Sequence, residues 1–301
     1  MPKKAKRVVA VYTGNRAEYG LQYPILRAIA DDERLDYKLL VSGAHLQQKF
    51  GRTKQEISKD GFKVYSEVKI TAGDDDLFGT AQAIGSGILS LSRVLARLKP
   101  DLLVVYADRF EGFSAMITGT QMNVPTAHIE GGDITEGGAL DDSVRHAMTK
   151  LAHLHFTTNE EAAARVRKLG EEPWRVHNVG FPAIDLIKAG LLAKPAELEA
   201  RFGLHADRPL VVFTQHSVTT EFMDAAEQVR PALRVMQRLA REGVQVVLTY
   251  PNNDAGGRRI IAELEKVRRE KIPGVQVLAS MGRYNYHGAL ALSRAVCVGN
   301  S

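Results

Sequence analysis

The feature of this sequence that most constrains its fold is a regular alternation of short apolar, β-branched runs with amphipathic stretches. In the first part of the chain the runs are RVVAVYT (7–13), YKLLVS (37–42), KVYSEVKI (63–70), DLLVVYA (101–107), PTAHIE (125–130) and LHFTT (154–158). Strands that alternate with helices form crossover units and a parallel sheet. Segments such as LLVV, which are apolar at every position, are typical of strands covered on both faces.

A second series of the same kind follows a helical segment that contains Pro195. Its strands are PLVVFT (209–214), VQVVLTY (244–250), VQVLAS (275–280) and AVCVGN (295–300), with helical patterns at 221–242, 257–271 and 284–293. A length of 301 residues also fits two domains. We therefore predict an α/β chain of two Rossmann-like domains, residues 1–179 and 180–301, that face each other across a ligand-binding cleft. Because the chain stops on a strand, we expect the second domain to be incomplete.

Charge and cysteine content narrow the class of protein. Forty basic and 35 acidic side chains give a formal net charge of +5, but no basic stripe interleaved with aromatics is present, so we predict no nucleic-acid partner. No apolar run approaches the roughly eighteen residues of a membrane span, and no secretory signal is recognisable, so we expect no membrane partner. The single cysteine, Cys297, fits a reducing cytoplasm. We predict a cytoplasmic globular protein, and an anionic small molecule explains the modest positive excess as well as nucleic acid would.

The stretch TAHIEGGDITEGGALDDSVRH (126–146) concentrates titratable side chains directly after a predicted strand. These side chains are His128, Glu130, Asp133, Glu136, Asp141, Asp142, Arg145 and His146. Ligands of open α/β sheets bind at the carboxyl ends of strands, and titratable groups that converge there are candidates for catalysis. A solvated acidic loop that caps the next helix is the alternative, and capping accounts for one of Asp141 and Asp142. It does not account for Glu130, which ends an apolar strand and precedes two glycines.

A further carboxylate, Asp108, closes the preceding predicted strand within YADRFEG (106–112). Taken alone, Asp108 fits an ordinary helix N-cap. Because Glu130 follows the adjacent strand, however, we expect the two carboxylates to meet at one edge of the sheet. Such a pair can hold an acid and a base on either side of one carbon.

Other strand ends carry polar groups suited to a phosphorylated sugar. YTGNRAEYG (12–20) lacks the G-x-G-x-x-G spacing of nicotinamide enzymes, yet Arg16 at a helix start can bind phosphate. An ion pair between Arg16 and Glu18 is the alternative. SGAHL (42–46) and TQHSVTTE (214–221) place His45 and His216 at strand ends, and YPNNDAGG (250–257) places Asn253 in a turn that could equally be an ordinary one.

The sequence offers no recognised metal-binding pattern. Histidines and acids are numerous between residues 128 and 155, but their spacing matches no zinc motif. A hard cation on the acidic loop stays open as an alternative, because magnesium sites need few protein ligands and borrow substrate phosphate. We predict neither a metal nor another cofactor.

Together these motifs resemble those of the hydrolysing UDP-N-acetylglucosamine 2-epimerases of sialic and legionaminic acid synthesis, relatives of the non-hydrolysing bacterial epimerase. The matching segments are TGNRAEYGL, SGAHL, the Asp-Arg pair at 108 and 109, AHIEGGDITEGGALDDSVRHAMTKLAHLHF, VGFPAID, TQHSVTTE, PNNDAGG and VGNS. The resemblance implies a GT-B fold, a nucleotide-sugar substrate, no cofactor and a homodimer or homotetramer. DDSVRH and HSVTTE look like the hydrolysing branch.

The resemblance also implies residue roles. Asp108, Glu130 and Asp142 are implied as the catalytic carboxylates. The implied substrate-binding residues are Arg16, Glu18, His45, Arg145, His216, Asn253 and Ser301. The implied reaction eliminates UDP to give a glycal, which is then hydrated to a free 2-epimeric sugar such as N-acetylmannosamine. A non-hydrolysing epimerase, a GT-B glycosyltransferase and a sugar-nucleotide binding protein without catalysis are the alternatives.

Overall fold

The computed structural model describes residues 5–47, 54–70, 76–135 and 140–299. These residues form two compact units. The first contains residues 5–47, 54–70, 78–135 and 140–185, and the second contains residues 76–77 and 186–299.

The first unit is built on a parallel sheet. In the described residues its strands are β1 (Arg7–Thr13), β2 (Leu35–Val41), β3 (Val64–Glu67), β4 (Leu102–Tyr106), β5 (Thr126–Ile129), β6 (Leu154–Thr157) and β7 (Val176–Asn178). They are hydrogen-bonded in the order β3-β2-β1-β4-β5-β6-β7, and every pairing is parallel. The helices along this part of the chain are α1 (Arg16–Asp31), α2 (Lys54–Lys59), α3 (Leu77–Leu98), α4 (Phe110–Gln121), α5 (Leu140–Leu151), α6 (Glu160–Lys168) and α7 (Pro182–Lys188).

The second unit repeats this plan on a smaller parallel sheet. Its strands are β8 (Leu210–Gln215), β9 (Gln245–Thr249), β10 (Val275–Leu278) and β11 (Ala295–Gly299), in the order β10-β9-β8-β11. Its helices are α8 (Pro195–Phe202), α9 (Ala225–Arg241), α10 (Gly257–Glu270) and α11 (Arg283–Leu292). The helical pattern predicted at 221–242 begins as a 3-10 segment, Thr219–Asp224, before α9.

Strand β1 shows why the first sheet is buried on both faces. Successive side chains of a strand point to opposite sides, and Ala10 and Tyr12 join one hydrophobic cluster while Val9 and Val11 join another. The prediction that the apolar strands are covered on both faces is therefore confirmed for β1. In the described part of the chain, no helix combines the length and the hydropathy that crossing a membrane requires.

The strand order places the candidate site. From β1 the chain adds β2 and then β3 on one side of the sheet, and it then crosses to the other side of β1 to form β4. The strand order therefore reverses between β1 and β4. At such a switch point the loops after the two strands separate and leave a crevice at their carboxyl ends. The loops after β4 and β5, which contain Asp108 and Glu130, lie at this edge, and so does the start of α1, which contains Arg16 and Glu18.

Candidate active site

Two catalytic candidates leave the ends of neighbouring strands. Strands β4 and β5 pair in register, with Tyr106 opposite Ile129. Asp108 follows the first strand after one intervening residue, and Glu130 follows the second directly. Because paired strands lie about 4.8 Å apart, the structure brings both carboxylates to one short stretch of the sheet edge.

The backbone at these strand ends has an uncommon conformation. Ala107 has a φ of +53° and Glu130 a φ of +66°, in the left-handed region that favours glycine. Hydrogen bonds hold both residues: the Ala107 N–H donates to Ile129 O at 2.9 Å, and the Glu130 N–H donates to Phe156 O at 2.8 Å. Side chains with this backbone strain cluster at functional sites, where the surrounding structure fixes them.

Arg145 joins two of the three carboxylates. It lies on α5 and is 9% exposed. Its Nη2 donates a short hydrogen bond to Asp108 Oδ2, and its Nη1 donates to Asp142 Oδ1 at 3.0 Å. The Thr135 N–H donates to the same Asp142 oxygen at 2.8 Å. Charge-assisted bonds of this kind are strong and directional, so one guanidinium fixes carboxylates from two different elements.

Glu130 has a strongly perturbed pKa. Burial raises the pKa of Glu130 to about 7, and the negative charges of Asp133 and Asp108 add to the rise, while Tyr106 and Arg145 oppose it. A carboxyl group with this pKa can gain or lose a proton at neutral pH, as general acid–base catalysis requires.

The start of α1 carries the predicted phosphate-binding features. Asn15 caps the helix, since its Oδ1 accepts from the N–H groups of Ala17 (2.8 Å) and Glu18 (3.0 Å). Arg16 opens the helix and is partly exposed at its amino end, where the helix dipole favours anions. The role of Arg16 as a diphosphate contact stays a prediction.

Glu18 and His45 lie deeper than a substrate-binding role would suggest. Glu18 is 4% exposed and its Oε2 accepts from the Gly14 N–H at 2.6 Å. His45 is also buried, with Nε2 3.1 Å from the Thr13 hydroxyl oxygen. Burial raises the pKa of Glu18 to about 8 and lowers the pKa of His45 to about 3. Both side chains support the backbone after β1, and their contact with substrate stays a prediction.

The predicted residues of the second unit lie at the carboxyl ends of β8 and β9. Nδ1 of His216 accepts from the Asn252 N–H at 3.1 Å. A neutral imidazole that accepts at Nδ1 carries its hydrogen on Nε2, where it can donate to an anion. Asn253 is partly exposed in the turn after β9. Ser301 lies outside the described residues.

The sequence predicted Glu111 at the start of a helix but gave it no role at the site, and the structure places it fully buried at the start of α4. Its Oε2 accepts from Arg109 Nε at 3.2 Å. A Cβ at Gly14 would lie 3.0 Å from Glu111 Cβ, and one at Gly43 would lie 2.6 Å from Glu111 Oε1. The signal in the sequence for this burial is the pair of glycines in the TGN and SGA motifs, because a glycine indicates that another group packs closely against its loop.

Within residues 5–47, 54–70, 76–135 and 140–299, no three His, Cys, Asp or Glu side chains are arranged to hold a metal ion.

Comparison with known proteins identifies the family. The sequence model of the UDP-N-acetylglucosamine 2-epimerase family matches residues 27–301. The chain belongs to this family. The predicted family membership is thereby confirmed, and so is the prediction of an enzyme.

Two relatives of this family member carry the word hydrolyzing in their names. The GDP/UDP-N,N'-diacetylbacillosamine 2-epimerase (hydrolyzing) of Campylobacter jejuni is 29% identical over 297 residues, covering 99% of this chain and 76% of the relative. The UDP-N,N'-diacetylbacillosamine 2-epimerase (hydrolyzing) of Legionella pneumophila is 30% identical over 297 residues, covering 98% of this chain and 76% of the relative. These names agree with the hydrolysing class predicted from the motifs.

A solved epimerase shares the fold. The UDP-GlcNAc 2-epimerase from Neisseria meningitidis, determined with UDP-GlcNAc bound, superposes with a TM-score of 0.74 at 16% identity, covering 97% of this chain and 77% of that one. With the two parallel sheets, this likeness confirms the predicted α/β fold class of GT-B type.

Proposed function

We propose that this family member is a hydrolysing 2-epimerase, which converts a UDP-linked 2-acetamido sugar and water into UDP and the free 2-epimer. The observation that carries the proposal is the arrangement of Asp108, Glu130 and Asp142 at one sheet edge, two of them bound to Arg145. A reaction that removes a proton from one face of a carbon and returns one to the other needs two such groups.

The first step is an elimination. Asp142, whose Oδ1 accepts hydrogen bonds from Arg145 and Thr135, acts as the carboxylate base that removes the proton from C2. The electron pair of that C–H bond forms the C1–C2 double bond, and the bond from C1 to the UDP oxygen breaks. Arg16 stabilises the charge that develops on the departing diphosphate, which is usually a large electrostatic contribution.

The second step is a hydration. Water adds its oxygen to C1 of the glycal, and Glu130 delivers a proton to C2 from the face opposite the first abstraction. The pKa of about 7 supports this role, because the group holds a proton at neutral pH and can still release it. Asp108 orients the attacking water and accepts its proton. The sum of both steps is the hydrolysis of the sugar nucleotide with inversion at C2.

Proton NMR in D2O tests this function. With UDP-N-acetylglucosamine, or with the UDP-linked diacetamido sugar named in the Campylobacter and Legionella relatives, we expect UDP and a free sugar deuterated at C2. A UDP-linked 2-epimer would instead identify a non-hydrolysing epimerase. If both donors stayed unchanged while UDP still raised the melting temperature, the protein would be a binding protein for these ligands.

We also propose a place in nine-carbon sugar acid synthesis, of the sialic or legionaminic type. In support, the polysialic acid biosynthesis protein P7 of Escherichia coli is 30% identical over 217 residues, covering 72% of this chain and 55% of that protein. A cytoplasmic location and a homodimer or homotetramer complete the proposal. Light scattering after gel filtration tests the last point, with an expected mass of two or four chains.

A further inference from the structure

His128 is a fully buried histidine in the middle of the candidate site's supporting structure. It lies on β5, two residues before Glu130. Its Nε2 is 2.6 Å from the carbonyl oxygen of Ala107, and its Nδ1 is 3.1 Å from the hydroxyl oxygen of Thr149. Both ring nitrogens are therefore used, and their partners lie on two different elements.

The protonation of this ring follows from its partners. Burial lowers the pKa of His128 to about 4, so the ring is neutral at neutral pH. A carbonyl oxygen only accepts hydrogen bonds, so Nε2 carries the hydrogen and donates it to Ala107. Nδ1 then carries no hydrogen and can accept from the hydroxyl of Thr149.

The bond to Ala107 acts on the residue that precedes Asp108. Ala107 has a φ of +53°, and its N–H donates to Ile129 O at 2.9 Å. With the bond from His128 to its carbonyl oxygen, β5 fixes this residue through both of its backbone polar groups. A non-glycine residue rarely adopts this backbone conformation. If one of the two bonds were lost, the backbone of Ala107 would relax from it, and Asp108 would move as well.

The bond to Thr149 acts on the helix that carries Arg145. Thr149 follows Arg145 by one turn of α5, and its single hydroxyl hydrogen has two acceptors within reach. These are Nδ1 of His128 at 3.1 Å and the carbonyl oxygen of Arg145 at 3.0 Å. A Cβ at Gly131 would lie 2.8 Å from Nδ1 and 2.9 Å from the Thr149 hydroxyl oxygen, so a glycine here leaves room for the pair.

We propose that His128 is a positioning residue of the active site, which sets Asp108 through the Ala107 carbonyl group and Arg145 through Thr149 without contacting substrate. The inference rests on the proposed function, since it assigns a role within that reaction. If His128 only filled the core, replacing it would change the stability of the protein and leave the geometry of Asp108 and Arg145 intact.

The test compares three replacements of His128. In His128→Gln the amide nitrogen lies near the former position of Nε2 and can still donate to Ala107. In His128→Asn the amide is too short to reach that carbonyl oxygen, and in His128→Leu no donor remains. We expect kcat to fall by about 10²-fold in the Asn and Leu variants, as for a small misplacement of reacting groups, with KM within about threefold of the parent. We expect His128→Gln to recover most of kcat.

The neighbouring strand provides a matched control. His155 pairs with His128 in register, is equally buried, and contacts Glu171 instead of the site, with Nε2 3.1 Å from Glu171 Oε2. We expect His155→Gln to lower the melting temperature and to leave kcat within about threefold. The positioning role would be wrong if His128→Gln folded but had a kcat no higher than that of His128→Asn. It would also be wrong if the His128 variants, like His155→Gln, lost only stability.

A readout without turnover separates this inference from the proposed reaction. Amide hydrogen exchange of residues 106–110, measured by mass spectrometry without ligand, should be faster in His128→Asn and His128→Leu and close to the parent in His128→Gln and His155→Gln. An inactive parent protein with this exchange pattern would contradict the proposed function and leave the positioning role supported. Unchanged exchange in all variants would overturn the role of His128.

Discussion

Two sets of acidic side chains lie at the switch-point edge of the first sheet, and they differ in access to solvent. Asp108 and Asp142 keep 17% and 18% of their side chains exposed, and both are bound by Arg145. Glu18 and Glu111 are 4% and 0% exposed. All four side chains are carboxylates that follow strands of the same sheet, so the functional group and its place after a strand do not distinguish the two sets.

A raised pKa does not separate the proposed catalytic residue Glu130 from the buried Glu18. Burial raises the pKa of Glu130 to about 7 and that of Glu18 to about 8. Glu18, however, is buried, and its carboxyl group accepts a hydrogen bond from the Gly14 N–H. Glu130 is only partly buried at the strand end. The comparison teaches that a perturbed pKa marks a catalytic group only where a substrate can reach it.

The largest effect is expected from Glu130→Gln. The amide keeps the size of the side chain but cannot exchange a proton, so kcat should fall by about 10³-fold or more, and Asp142→Asn should behave alike. UDP affinity, measured by calorimetry, should stay within about threefold. Glu18→Gln is the matched control from the buried set. Near-normal turnover in either catalytic variant would remove that residue from the mechanism.

A smaller loss is expected from Arg145→Lys. The variant keeps the positive charge, but an ammonium group cannot reproduce the planar fork that binds Asp108 and Asp142 together. We expect kcat to fall by about 10²-fold, measured as UDP release at saturating substrate. If Arg145→Lys matched the parent, the charge alone would matter and the bridging geometry would not.

The pH dependence of kcat/KM tests the role assigned to Glu130. As the proton donor, Glu130 is active while protonated, so kcat/KM should decline above an apparent pKa near 7, by about tenfold per pH unit. The measurement is a series of initial rates of UDP release between pH 5 and pH 9. A rise through pH 7 would exchange the roles and make Glu130 the base.

The smallest effect on turnover is expected from Glu18→Gln, which should stay within about threefold of the parent at pH 7. Its effect is on stability. The folded-state pKa of Glu18 lies at about 8, above its ordinary value of 4.5, so its stabilising contribution is complete below pH 4.5 and is lost as pH rises through 8. The parent melting temperature should therefore fall by several degrees between pH 5 and pH 9, and that of Glu18→Gln should fall less.

The activity and the melting curves of Glu18→Gln also test the contrast between the accessible and the buried carboxylates. If Glu18→Gln lost as much activity as Glu130→Gln, Glu18 would belong to the reacting groups despite its burial. If Glu18→Gln showed the same pH dependence of stability as the parent, the proton on Glu18 would not be linked to folding.

Much of the fold could be predicted because its signals are local. The run RVVAVYT is apolar at successive positions, and β1 (Arg7–Thr13) forms where that run predicts it. Strand ends followed by acids, as at Glu130, could be located for the same reason. The predicted start of the helix at residue 221 was less accurate, because a 3-10 segment with a non-helical Glu221 precedes α9.

The sequence by itself determined the alternation of strands and helices, the family and the placement of polar residues at strand ends. Each of these depends on residue order or on periodicity along a short segment. The tertiary structure alone decided which carboxylates are reachable and which are buried. It also placed Arg145 on Asp108, 37 residues away in the chain, and His128 on Ala107, 21 residues away. Such contacts arise only when distant segments pack together, since no local pattern encodes the partner of a side chain across a sheet.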